Sequence, residues 1–95
     1  MDIETSKEIV DEKTLAEIYK ALGEPNRLRV VRALLQEEEM TCGQLTSLLG
    51  VSASTFSHHI AELVECGLVS KRKEGRHHIL SVRRDILIKY APAIV

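Results

Sequence analysis

From Ser52 to Ile60 the chain reads Ser-Ala-Ser-Thr-Phe-Ser-His-His-Ile, which packs four hydroxyl side chains and two imidazoles into nine residues. Short groups that both donate and accept hydrogen bonds suit close approach to phosphates and base edges. Further along, Lys71, Arg72, Lys73 and Arg76 crowd around Glu74-Gly75, a cation density suited to neutralising a phosphate backbone. The overall net charge of −1 conceals this grouping. Residues 1–24 hold seven acids against three lysines, a net −4, whereas residues 70–84 hold six cations against one acid, a net +5. Such asymmetry points to a local anionic partner.

Other chemistries find no pattern. There is no phosphate-cradling glycine loop, no His-Glu-x-x-His, no nucleophile elbow and no Cys–His pair with an orienting group, so no enzyme is expected. His58 and His59, like His77 and His78, are adjacent, not four apart, and a strand would turn His77 and His78 to opposite faces. Neither a metal site nor a cofactor is therefore expected. Cys42 opens a predicted helix whose dipole would favour the thiolate, making it a candidate redox residue. Cys66, at a helix C-terminus, reads as a packed structural thiol. Two cysteines are too few for a secreted disulfide scaffold. No stretch reaches the ~18 apolar residues of a membrane span. The acidic start Met1-Asp2-Ile3-Glu4-Thr5 lacks a signal-peptide core, which predicts a cytoplasmic protein.

The elements that would position these residues follow from periodicity and punctuation. The 95 residues make one domain, with a flexible N-terminal arm over 1–12 and a single folded domain over 13–95. Thr14-Leu15-Ala16-Glu17 reads as a capping box, followed by Leu15, Ile18, Tyr19 and Leu22 at helical spacing and a stop at Gly23. Pro25 suits the first position of a second helix with Leu28, Val31, Leu34 and Leu35 inside and Arg27, Arg29 and Arg32 outside. Gln36 to Glu39 reads as a solvated link. Thr41-Cys42-Gly43-Gln44 is another capping box, heading a short helix closed by Gly50. Ser52 then opens a helix whose buried face is Phe56, Ile60, Leu63 and Val64, with Ser54, Ser57, His58 and Ala61 on the opposite face. Two short helices joined by a tight glycine-containing turn are what a helix-turn-helix needs. Leu68–Lys73 and His77–Val82 read as strands around a Glu74-Gly75 turn of type I′. Arg83 to Ala91 returns to helical spacing.

Four segments in this order resemble the ArsR/SmtB family of winged-helix transcriptional regulators over roughly residues 15–84. They are Lys20-Ala21-Leu22-Gly23-Glu24-Pro25-Asn26-Arg27-Leu28-Arg29, Leu49-Gly50-Val51-Ser52-Ala53-Ser54-Thr55-Phe56-Ser57-His58-His59-Ile60, Cys66-Gly67-Leu68-Val69 and Lys73-Glu74-Gly75-Arg76. The resemblance implies a repressor. It also implies where metals would bind: a Cys-x-Cys pair at the start of the first helix of the helix-turn-helix, or carboxylates and histidines on the last helix. Aligning Leu45 with the leucine that follows the thiolate pair puts Thr41 and Gly43 where the cysteines belong. The segment Asp85 to Tyr90 has one acid and no histidine, so neither metal site is expected.

These readings together predict a mainly α fold with a small β-hairpin, a winged helix-turn-helix. It is expected to dimerise through its N- and C-terminal helices, because a small core flanked by apolar helices is marginal alone. Leu15, Ile18, Tyr19, Leu22, Ile86, Leu87, Tyr90 and Ile94 are the dimer candidates, although some could close the monomer core instead. The expected partner is double-stranded DNA, an operator of two half-sites. Its candidate contacts are Ser52, Ser54, Thr55, Ser57, His58, His59, Lys71, Lys73 and Arg76. His59 lies nearer the apolar edge, where a core histidine is the competing reading. Two alternatives stand beside DNA readout: a winged-helix protein-interaction module, and a DNA-binding regulator controlled through the Cys42 thiol.

Overall fold

The computed structural model describes residues 10–95. In chain order its elements are α1 (Glu12–Leu22), α2 (Pro25–Glu37), β1 (Glu39–Thr41), α3 (Cys42–Leu49), α4 (Ala53–Glu65), β2 (Val69–Glu74), β3 (His77–Val82), α5 (Arg84–Tyr90) and a 3₁₀ turn (Pro92–Ile94). Most of the arm expected over 1–12 lies outside the described residues, but Glu12 opens α1 and Asp11 stands just before it. The Asp11 carboxylate accepts from the Thr14 amide at 3.0 Å and from its hydroxyl at 2.6 Å. Asp11 is thus the N-cap, and the expected capping box from Thr14 to Glu17 is corrected by one turn. An aspartate caps at least as well as a threonine, and starting earlier adds a turn of backbone hydrogen bonds.

Pro25 opens α2 as expected, and the Glu24 carboxylate caps it by accepting from the Asn26 and Arg27 amides at 2.7 and 3.2 Å. The link expected from Gln36 to Glu39 does not exist as such. Gln36 and Glu37 complete α2, and Glu39 starts a third strand that adds Met40 against Leu80 and Thr41 against Ile79. The sheet runs β1-β3-β2, antiparallel throughout. Three residues of modest β-propensity carry no strand signal of their own; pairing with β3 creates the strand. The corner into it falls on Glu38, whose φ of +68° and ψ of −52° lie in a region that residues with a Cβ rarely occupy.

The core centres on α2. Val30, Val31 and Leu34 are fully buried against Ile18 of α1, Leu45 of α3, Leu63 of α4, Leu80 of β3 and Leu87 of α5. This changes the reading of the dimer candidates. Ile18, Leu22, Leu87 and Tyr90 are buried within the one chain, so they close its own core and do not present a free surface. A short chain has few apolar residues, and its most regular ones are consumed by the monomer first. Tyr19 stays 53% exposed; Leu15, Ile86 and Ile94 are half-buried. Ile88, absent from the sequence-based set, is 55% exposed.

Candidate nucleic-acid interface

The helix-turn-helix forms as the punctuation predicts. The Thr41 hydroxyl accepts from the Gln44 amide at 3.0 Å, and the Gln44 side chain accepts from the Thr41 amide at 2.9 Å. Gly50, with φ +69°, ends α3 in the left-handed region that a residue without Cβ enters freely. Ser52 caps α4, its hydroxyl accepting from the Thr55 amide at 3.2 Å and donating to the Thr55 hydroxyl at 2.9 Å. Phe56, Ile60 and Leu63 bury one face of α4, which holds the helix firmly against the core. Ser54, Thr55, Ser57, His58 and Ala61 remain exposed. Val64, expected inside, is 38% exposed at the edge of that buried face. The outward face is therefore short, polar and free to approach another surface. Had Ser54, His58 and the hairpin been occluded, an interaction module would have been the better reading; all are open.

The hairpin turn is displaced by one residue from its expected place. Glu74 pairs with His77, so Gly75 and Arg76 form the turn, with positive φ (+61°) at Gly75 alone. Positive φ at the first central residue only is the pattern of a type II′ turn, not the expected type I′. Arg76 consequently sits at the very tip and is exposed. Strand pleating then sorts the remaining charges. Lys71 lies opposite Leu80 and Lys73 opposite His78, so these side chains share the face on which Leu80 meets the core. Lys71 and His78 line a groove together with α4. Arg72 points the other way, 2.8 Å from Glu39 and 3.0 Å from Glu74. Those carboxylates hold its guanidinium above its ordinary pKa. Among the described residues Lys71, Lys73 and Arg76 form no ion pair. Of the six cations in this segment, Lys71 and Lys73 thus share one side of the sheet with Arg76 at its tip, a selection that alternation from Leu80 predicts once the register is known. His78 joins that side, and sequence reasoning missed it.

His59 does not belong with the contact residues. It is 7% exposed, its Nε2 3.7 Å from Glu24 at the start of α2. Position 59 lies at the edge of the stripe of Phe56, Ile60 and Leu63, and the packing of α4 beside Glu24 turns its ring inward. Arg27, expected outside, donates from Nε to the Ala21 carbonyl at 3.0 Å. Partial burial pushes the Glu24 carboxyl up, but the Arg27 and Asn26 amides, with His59 and Arg27 nearby, outweigh it and leave the carboxyl below its ordinary value. This polar cluster ties α4 to the α1–α2 elbow.

The thiols divide differently from expectation. Cys42 does stand at the first position of α3, but burial pushes its thiol up, with Lys71 only partly opposing. The reactive thiolate expected from the helix dipole is not favoured there. Cys66 is raised as well, chiefly by burial, and donates to the Leu63 carbonyl at 3.5 Å. Among the described residues no three His, Cys, Asp or Glu side chains are grouped to hold a metal ion, and no helix is long and apolar enough to cross a membrane.

Residues 22–72 match the family described as "Helix-turn-helix domain". Over 86 residues the chain is 33% identical to the uncharacterized HTH-type transcriptional regulator YceK of Bacillus subtilis, covering 90% of this chain and 86% of that one. It is 32% identical to the cadmium resistance transcriptional regulatory protein CadC of Listeria innocua, covering 70% of this chain and 56% of CadC. Among solved structures, a homodimeric winged helix-turn-helix DNA-binding domain from Mycobacterium bovis, from a possible ArsR-family transcriptional regulator, superposes with a TM-score of 0.76. Identity there is 26%, over 85% of this chain and 75% of that one.

Proposed function

Because the chain belongs to the ArsR/SmtB family of winged helix-turn-helix regulators, we propose that it is a sequence-specific regulator of transcription, a repressor, that binds double-stranded DNA. The observation that carries this reading is the pairing of the exposed polar face of α4 with unpaired cations on one side of the neighbouring hairpin. α4 enters the major groove, with Ser54, Ser57 and His58 towards base edges and the capped start formed by Ser52 and Thr55 towards phosphates. Lys71 and Lys73 neutralise the backbone, and Arg76 at the hairpin tip reaches the adjoining minor groove or its phosphates. The protein acts as a homodimer on two half-sites about one helical turn apart. Its contact surface is the outer side of α1 and α5, where Tyr19 and Ile88 remain exposed. These helices are held together by the Tyr19 hydroxyl donating to the Tyr90 carbonyl at 2.9 Å.

The reading includes neither of the two metal sites common among such regulators, since Thr41 and Gly43 stand at the thiolate positions. Zinc, cadmium or arsenite should accordingly leave DNA affinity unchanged. Fluorescence-anisotropy titration of the duplex upstream of its own gene, against a scrambled duplex, tests the central claim. The upstream duplex should bind more tightly, and failure to bind either one at low salt overturns it. Light scattering tests the assembly: the chain should be a dimer at micromolar concentration and Ile88→Glu a monomer. An Ile88→Glu dimer would move the interface elsewhere.

A further inference from the structure

A cavity of about 680 Å³ opens between the hairpin-side flank of α4, the start of α3 and the face of β2 that carries Lys71. Clefts of roughly 300–1,000 Å³ hold small organic ligands. Its floor is apolar: Phe56 and Ile60 are buried there, and Val64 forms an exposed wall. At the mouth of this cavity stands one exposed ammonium without an ion pair. Lys71 has no acidic partner among the described residues, while its strand neighbour Arg72 is doubly paired on the opposite face. The Lys71 side chain lines the cavity together with Cys42.

A cation facing an apolar cavity is stabilised by an anion that brings its own hydrocarbon, since the two parts of the site are then satisfied together. We propose that this cavity binds a small amphipathic monocarboxylate, its hydrocarbon against Phe56, Ile60 and Val64 and its carboxylate on the Lys71 ammonium. His78 stands beside Lys71 and can donate to the same group, whereas Glu65 on the rim disfavours a second negative charge. A neutral apolar molecule gains nothing from Lys71, and an apolar amine is repelled by it. Ser57 also lines the cavity, so bound carboxylate and duplex compete for Ser57 and Lys71; that consequence rests on the DNA reading, whereas ligand binding itself does not.

The test uses the intact chain without DNA, so a failed operator assay and a failed ligand assay are separate results. Octanoate and octan-1-ol are titrated while amide and methyl NMR shifts are followed. Octanoate should bind saturably with shifts concentrated at Ala61, Val64 and Lys71. Octan-1-ol should bind about tenfold more weakly, the equivalent of one charge-assisted contact. Lys71→Met should remove that difference between the two probes. Val64→Asp, at a position 38% exposed, should abolish octanoate binding, with dispersed spectra showing that both variants fold. Arg72→Met, which removes a cation from the opposite face, should leave octanoate affinity as it was. No saturable binding, shifts centred elsewhere, equal affinity for the two probes in the wild type, or a carboxylate preference that survives Lys71→Met would each overturn the assignment.

Discussion

The hairpin carries two arginines four positions apart in different surroundings, and removing each in turn exposes the difference. Arg76 sits at the turn with no acidic partner among the described residues; Arg72 is held by Glu39 at 2.8 Å and Glu74 at 3.0 Å on the far side of the sheet. A phosphate contact contributes about 0.9 to the slope of log affinity against log salt. Arg76→Ala in a dimer removes two such contacts, so the slope should flatten by about 1.8. Across a fourfold rise in salt, that change makes the loss of affinity about tenfold smaller than in the wild type. Because the effect is on phosphates, it should appear equally on operator and scrambled duplex. Arg72→Ala should leave the slope unchanged, since its charge is already answered within the protein. Anisotropy titrations of both duplexes at four salt concentrations read all of these quantities. If Arg72→Ala flattens the slope as much as Arg76→Ala, or if neither does, the sorting of charges by strand pleat is the wrong account of the interface.

Three further outcomes follow from the same structure. Ser57→Ala and His58→Ala should reduce discrimination between operator and scrambled duplex by roughly 1–3 kcal/mol where a base contact is lost, with the salt slope kept. Glu38→Gly should raise stability in urea by about 1 kcal/mol, because glycine adopts the positive φ of the α2–β1 corner without a Cβ penalty; a loss of stability would refute that strain. The pH dependence has a definite sign. Asp11 is held below its ordinary pKa by the Thr14 hydroxyl and amide, and Glu39 by the Arg72 guanidinium. Their stabilisation is present above the ordinary carboxylate range and lost as pH falls through the depressed folded values. Urea midpoints measured against pH should therefore fall less steeply in acid for the double variant Asp11→Asn, Glu39→Gln than for the wild type.

Local chemistry was enough for those parts of the protein whose partners lie within a turn of themselves. Thr41 with Gln44, Ser52 with Thr55, Pro25 at the start of α2 and Gly50 at the end of α3 act over three or four residues, so the chain states them directly. The helix-turn-helix was legible for that reason, as was the exposed row of Ser54, Ser57 and His58, which helical periodicity alone places opposite Phe56 and Ile60. Position 59 lies within a step of the boundary between faces, and only the packing of α4 on the elbow at Glu24 turned His59 inward. β1 has no signal of its own and exists because β3 offers it hydrogen bonds. The hairpin register came from cross-strand pairing, and with it the placement of Arg76 at the tip and the division of Lys71 and Lys73 from Arg72. Whether Ile18, Leu22, Leu87 and Tyr90 face a partner or their own core was likewise undecided by periodicity, which marks an apolar face but not what covers it. Burial and pairing across distant parts of the chain depend on which surfaces meet, and that is a property of the folded whole.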